Sequence, residues 1–329
     1  MGVVVITGAG AGAGRACARA FARHGHDVAL IARGGDRLEA AAEEVRELGR
    51  RALVLPLDVA DADAVEAAAD RTERELGPID VWVNGAMTST VAPVDQVTTH
   101  EIQRVTDVTY LGTVYGTQAA LRRMRLRDRG VIVQIGSGLA YRSVPLQAAY
   151  CGAKSAVRGF TDSLRCELLH DRSRVRITMV HLPALNTPQF SWVRSRLPLA
   201  MQPLPPVYQP ELAARAIVWA AEHPRRELLV GWQTWVGILG QSLMPGMMDR
   251  YLADRAWEGQ MSEDPARPGS PDSLDDPVAA DVGAHGAFDD MASDASPLLW
   301  ADTHRRIVAA AALTATALSV SAIRTIRRA

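Results

Sequence analysis

From residue 1 to about residue 235, short β-branched apolar runs alternate with longer amphipathic stretches rich in Ala, Leu, Arg and Glu. That rhythm predicts parallel strands joined by crossover helices. The predicted strands are Val3 to Thr7, Val28 to Ala32, Ala52 to Leu57, Val81 to Asn84, Val131 to Gly136, Ile177 to Leu182 and Leu228 to Val230, with helices filling the gaps. The strands are near-continuous apolar runs without a two-residue alternation, as expected when helices cover both faces of a sheet. The expected fold is α/β, a doubly wound parallel sheet of about seven strands, with ligands at the carboxyl ends of the strands.

The pattern then changes. Trp232, Trp235 and the run Val236 to Met248 read as a packed or subunit-contact helix that Pro245 kinks or ends, so residues 236–257 form a helical extension. Residues 258–300 carry ten acidic side chains against the single Arg267, with prolines at 265, 268, 271, 277 and 297; they read as a poorly ordered or surface-draped linker. Residues 301–329 close the chain. Within them Ile307 to Ile323 is seventeen residues without a charge, flanked by arginines. As a helix it would span about 25 Å, short of a roughly 30 Å hydrocarbon core. Two readings stay open for it, a membrane anchor or interfacial helix, and a helix packed on the rest of the chain or on a partner subunit.

Composition narrows the function. Thirty-six basic side chains against 37 acidic ones leave a net charge of −1, which provides no general field for nucleic acid. Cys17, Cys151 and Cys166 are odd in number, widely spaced and without metal-ligand pairing, which fits a reducing compartment. No metal site is expected. The first strand begins at Val3 with no charged and apolar leader before it, so a cytoplasmic protein is expected, either free or held peripherally or by its tail at a membrane.

The first strand runs into Thr7-Gly8-Ala9-Gly10-Ala11-Gly12-Ala13-Gly14 and then a helix-forming run from Arg15 to Arg23. A strand, a glycine turn and a helix N-terminus make an anion site, because free N–H groups and the helix dipole face one point while absent Cβ atoms admit a pyrophosphate. The plain alternative is a tight Ala/Gly turn with no ligand. Glycines at 8, 12 and 14 fit the spacing T-G-x-x-x-G-x-G, and here the sequence resembles the short-chain dehydrogenase/reductase family, in its compact, non-extended type, over about residues 1–235. The resemblance implies a Rossmann-like domain in which Thr7, Gly8, Gly12 and Gly14 meet a nicotinamide dinucleotide.

Arg33 follows the second strand where relatives that prefer NAD carry an acid, and a guanidinium there suits a 2′-phosphate. NADP(H) is therefore expected, with NAD less favoured; the alternative is a solvated arginine, with Arg37 able to share the role. Asp58-Val59 is similar to the family's adenine-contacting pair. Asn84-Gly85-Ala86-Met87 stands in place of its Asn-Asn-Ala-Gly turn, which leaves Asn84 as the residue carried over. His181-Leu182-Pro183-Ala184-Leu185-Asn186-Thr187 is similar to the segment that meets the carboxamide, which implicates Thr187.

Tyr150 and Lys154 are four residues apart on a predicted helix and so share a face, and Ser137 precedes the tyrosine by thirteen residues at the end of the fifth strand. The set resembles the family's Ser, Tyr, Lys triad in order and spacing. A carbonyl that accepts hydride develops negative charge on oxygen and needs a proton donor and a hydrogen-bond donor aimed at it. Tyr150 would give the proton, Lys154 would stabilise the phenolate and bond the nicotinamide ribose, and Ser137 would polarise the carbonyl. Thr109 takes the place of the family's relay Asn, as a relay member or as a neutral packing residue. Cys151 reads as a small apolar helix residue rather than a nucleophile.

Residues 188–210 stand where relatives place the substrate lid, and their apolar content favours a hydrophobic carbonyl or alcohol; the equal alternative is a stiff packed loop. The leading expectation is an NADP(H)-dependent oxidoreductase, a homodimer or homotetramer. The alternatives are a non-catalytic dinucleotide-binding sensor or scaffold, and a lyase or epimerase of the same family.

Overall fold

Seven strands form the central sheet: β1 (Val3–Thr7), β2 (Asp27–Ala32), β3 (Ala52–Pro56), β4 (Ile79–Asn84), β5 (Val131–Ser137), β6 (Arg176–Leu182) and β7 (Glu227–Leu229). The computed structural model describes residues 2–223, 225–266 and 269–310. The strands lie in the order β3-β2-β1-β4-β5-β6-β7, and every neighbouring pair is parallel.

Alternate residues of each strand go to opposite faces, and both faces are covered. Val4, Ile6, Val28 and Leu30 pack on one side with Phe21 of α1 (Gly12–Arg23), Leu38 of α2 (Gly35–Glu47) and helix 210–222. Val5, Ile31 and Trp82 pack on the other. Their partners there are Val65 of α3 (Ala62–Glu75), and, after α4 (Thr99–Thr106), Met124 of α5 (Gly112–Arg127) and Leu164 of α6 (Ala148–His170). This explains the unbroken apolar strands: both pleat directions meet a helix layer, and each fully buried Ile, Leu or Phe contributes about 1.5–3 kcal/mol.

Strand order reverses between β1 and β4, where Thr7 and Asn84 stand side by side in register. A sheet of this topology opens its ligand crevice at that point. α4 passes into α5 through a π-helical turn, Asp107–Leu111, that carries Thr109.

After α7 (Pro210–Glu222) and β7 come α8 (Trp232–Leu243) and α9 (Pro245–Gly259). Pro245 opens the second helix, where its missing N–H costs nothing. Two short ladders then tie the C-terminal region to the residues before it, Met261–Pro265 on Leu199–Met201 and Ala292–Ser293 on Val207–Tyr208, while a third, Arg194–Ser195 on Thr90–Val91, joins two earlier segments. α10 (Pro297–Thr303) follows, its N-terminus capped by Ser296. The acidic segment from 269 to 296 lies across the carboxyl ends of the strands between these ties. Of the apolar tail from Ile307 to Ile323, residues 311–323 lie outside the described residues. Among the described residues, no helix is long and apolar enough to cross a membrane.

Candidate active site

Ser137 ends β5 and turns the chain: its Oγ accepts the Leu139 N–H at 3.1 Å. Beneath it His181 is fully buried, with Nδ1 3.1 Å from the Ser137 carbonyl oxygen. A carbonyl only accepts, so that nitrogen carries the proton. His181 Nε2 lies 3.5 Å from Glu227 Oε2, to which the Tyr141 hydroxyl also donates. Burial works to raise the Glu227 carboxyl, and the adjacent His181 ring and the hydrogen bond from Tyr141 overcome it and hold the group at about 2. The Arg158 guanidinium lies over the Tyr141 ring, 4.2 Å from its centroid. A buried ionic cluster thus fixes the backbone that presents Ser137.

α6 brings Tyr150 and Lys154 to the same place. Burial raises the Tyr150 phenol above its ordinary value, while a hydrogen bond with Ser137 pulls it down. Lys154 is buried, its Nζ donating to the Ile135 carbonyl at 2.7 Å and standing 5.7 Å from the centre of the Tyr150 ring. Desolvation lowers its ammonium to about 8. Ser137 and Tyr150 face a cavity of about 580 Å³ whose walls include Phe190, Trp192, Met201 and Trp232.

The glycine turn lies across the switch point. Gly8 adopts φ +76, and a Cβ there would meet the backbone of Ala86. A Cβ on Gly14 would collide with the Gly8 carbonyl. The loop therefore closes only with glycine at both positions. Ala11 precedes α1 with no side chain to cap it, and the first turn of the helix holds no acid. Its leading N–H groups and positive dipole end suit an anion. Thr7 Oγ1 accepts the N–H groups of Gly85 and Ala86 at 3.0 and 3.1 Å, joining the ends of β1 and β4.

Other predicted residues stand differently. Asn84 spends its side chain inward, accepting from Trp82 Nε1 at 2.8 Å and donating to Thr117 and Gln134 at 3.0 and 2.9 Å. Thr109 is fully buried; its hydroxyl donates to the Thr88 carbonyl and accepts the Thr88 N–H, at 3.0 and 3.1 Å, and Lys154 donates elsewhere. Asp58 holds the Ala60 N–H at 3.0 Å and pairs with Arg104, while Val59 is buried against Gly112. Thr187 lies beside Gly12.

Arg33 donates to the carbonyls of Ser273, Leu274 and Asp275, all from the acidic segment. Burial, then the neighbouring Arg104 charge, lowers its guanidinium from the ordinary range. The sequence reading missed those partners and also Asn186, which is fully buried. Asn186 accepts the Phe288 N–H at 3.0 Å and donates to Asp289 at 2.7 Å. The available signal was an amide side chain in an otherwise apolar turn.

Comparison with known proteins agrees with this architecture. Residues 2–197 match the model of a family described as short chain dehydrogenase. The oxidoreductase YxnA of Bacillus subtilis (strain 168) is 33% identical over 278 residues, which cover 83% of this chain and 78% of that one. The oxidoreductase Rv1543 of Mycobacterium tuberculosis (strain ATCC 25618 / H37Rv) is 32% identical over 255 residues, 75% of this chain and 72% of that one. Coverage of 83% must run past residue 235, so likeness to YxnA reaches into the C-terminal extension. Among solved structures, an alcohol dehydrogenase from the archaeon Thermococcus sibiricus complexed with 5-hydroxy-NADP is 28% identical, with a TM-score of 0.62 over 70% of this chain and 95% of that one.

Proposed function

This chain belongs to the short-chain dehydrogenase family of oxidoreductases, and from that premise we propose that it interconverts a hydrophobic ketone or aldehyde and its alcohol using NADP(H). The observation that carries the reading is the convergence of Ser137, Tyr150 and Lys154 at one end of an apolar cavity, beside the strand ends where the glycine turn lies.

The family uses a nicotinamide dinucleotide, and the residues here fit one: the uncapped start of α1 suits its pyrophosphate. Gly8, Gly12 and Gly14 would cradle that group, with Thr7 tying the turn below. Asp58, Val59 and Asn84 would border the adenosine, Thr187 would meet the carboxamide, and Lys154 the nicotinamide ribose. Arg33 would take the 2′-phosphate, and its present set of three carbonyl acceptors is the kind of oxygen array such a phosphate offers. When bound, the dinucleotide supplies or accepts the hydride.

The chain's own part is proton transfer and orientation. Tyr150 gives its proton to the carbonyl oxygen and, in the other direction, takes it from the alcohol. Ser137 donates a hydrogen bond to the same oxygen, from a backbone that His181 and Glu227 hold still. The Lys154 ammonium, close to the phenol ring, stabilises the phenolate as it forms. Phe190, Trp192, Met201 and Trp232 exclude water and favour an apolar substrate. Thr109 acts through Thr88, fixing the wall of the cavity rather than touching Lys154. Self-association through the exposed face of α8 completes the proposal.

A panel of hydrophobic ketones and alcohols, followed by NADPH absorbance, tests the reading. Tyr150→Phe is expected to lower turnover by about 10²–10⁴-fold while the dinucleotide still binds. Unchanged turnover in the variant would sink the assignment.

A further inference from the structure

The acidic segment crosses the crevice and takes up groups that the dinucleotide itself would need. Ser273 N–H donates to the Trp192 carbonyl at 2.9 Å, and Arg194 holds Asp272 and Asp275 at 2.8 and 2.9 Å. Leu274 is fully buried, in one cluster with Val105 and Ala153, against which Tyr150 also packs. Its carbonyl accepts from Arg104 Nε at 3.1 Å as well as from Arg33. Further on, Asp281 pairs with Arg15 in the first turn of α1, and the Gly283 carbonyl accepts the Gly12 N–H at 3.2 Å. Gly286 lies against the Thr187 carbonyl, and Asn186 pins Phe288 and Asp289.

Two of those anchors, Arg33 and the Gly12 N–H at the start of α1, are the donors assigned above to phosphate groups, and Arg15, which also pairs with Glu44, stands three residues further along the same helix. Carbonyl oxygens and a carboxylate now occupy them. The cavity that holds Ser137 and Tyr150 is also walled by Ser273, and none of Gly8, Gly12, Gly14, Arg33 or Asp58 lines it.

We propose that residues 272–289 are a tethered competitor of the dinucleotide, docking in its crevice through Arg33, Gly12 and Arg15 and leaving when it binds. The proposal rests on the reading of that crevice as a dinucleotide site. It makes the docked chain a closed form in which the substrate cavity stands ready and the phosphate anchors are occupied. Apparent affinity is then the intrinsic affinity multiplied by the fraction of molecules that are undocked.

The test uses the full-length chain and Leu274→Asp, which sets a charge in the segment's buried anchor. NADPH and NADP⁺ binding is measured by calorimetry, and amide hydrogen exchange is followed with and without NADP⁺. The expected result is about tenfold tighter binding in the variant. The new carboxylate by itself opposes an anionic ligand, so tightening reports release of the segment. Leu274→Ala, with no added charge, is expected to give a smaller gain of about threefold and serves if the Asp variant misfolds. In the unaltered chain, NADP⁺ should speed exchange across residues 273–289 and slow it at Gly12 to Gly14.

Equal or weaker binding in both variants, or slower exchange across residues 273–289 on adding NADP⁺, would overturn the proposal, the latter because the segment would then be closing over its ligand. No dinucleotide binding by any of the three proteins would overturn the crevice assignment itself, a result separate from unchanged affinity.

Discussion

At the scale of single residues, Lys154 connects burial to chemistry most directly. Its ammonium sits at about 8, below the ordinary 10.5, because the interior disfavours the charge. In the proposed mechanism reduction needs the ammonium present, so kcat/KM for a ketone is expected to fall with one ionisation as pH rises through about 8. A profile flat to pH 10 would contradict the role. The linkage has the opposite sign for folding: between about 8 and 10.5 the unfolded chain binds the extra proton, so this group's contribution to stability rises with pH across that window. In the proposed function Arg33 carries the cofactor preference. Arg33→Ala is expected to weaken NADPH binding about tenfold or more and leave NADH within about twofold, measured by fluorescence titration; equal loss of both would remove the 2′-phosphate role. The triad was legible in the sequence because spacing on a helix and position at a strand end are local facts. The partners of Arg33 were not, since they lie some 240 positions away and meet it through main-chain carbonyls that no side-chain pattern encodes.

At the scale of elements, the strands read directly from the chain, with ends within about two residues, because each apolar run is buried on both faces and has no competing amphipathic period. Thr109 shows where such reading stops. A residue aligned with a relay position sits in a π-turn that aims its hydroxyl at Thr88, and the extra residue in that turn changes direction without changing the hydrophobic pattern. Asn84 is similar. Its strand position was clear, yet its side chain is committed to Trp82, Thr117 and Gln134, a network set by three separate elements. The segment from 258 to 300 carries too few apolar residues to predict a core, and what holds it is a small number of point contacts: Leu274, Ala284 and Leu299 buried, with Asp272, Asp281 and Asp289 bonded to Arg194, Arg15 and Asn186.

At the scale of the whole molecule, the chain is a family domain with its own C-terminal half-belt. One surface stands out against this. Trp232, Trp235, Leu239 and Leu243 follow one another at helical spacing along α8 and are 53%, 52%, 38% and 73% exposed, and α8 has no charged residue. An exposed apolar stripe of this kind marks a candidate interaction surface. The expected assembly is a homodimer or homotetramer through this face. Light scattering should therefore show a multiple of 35.4 kDa that Trp235→Ser with Leu239→Ser reduces to the monomer; a monomer before substitution would remove the proposal.

The short ladders of Met261–Pro265 on Leu199–Met201 and of Ala292–Ser293 on Val207–Tyr208 fix both ends of the acidic segment beside the crevice. A ligand carried on so short a tether acts at an effective concentration of about millimolar or above, whatever the amount of protein. Under the proposal, diluting the protein cannot clear the crevice, and a free dinucleotide must prevail by its own concentration and affinity.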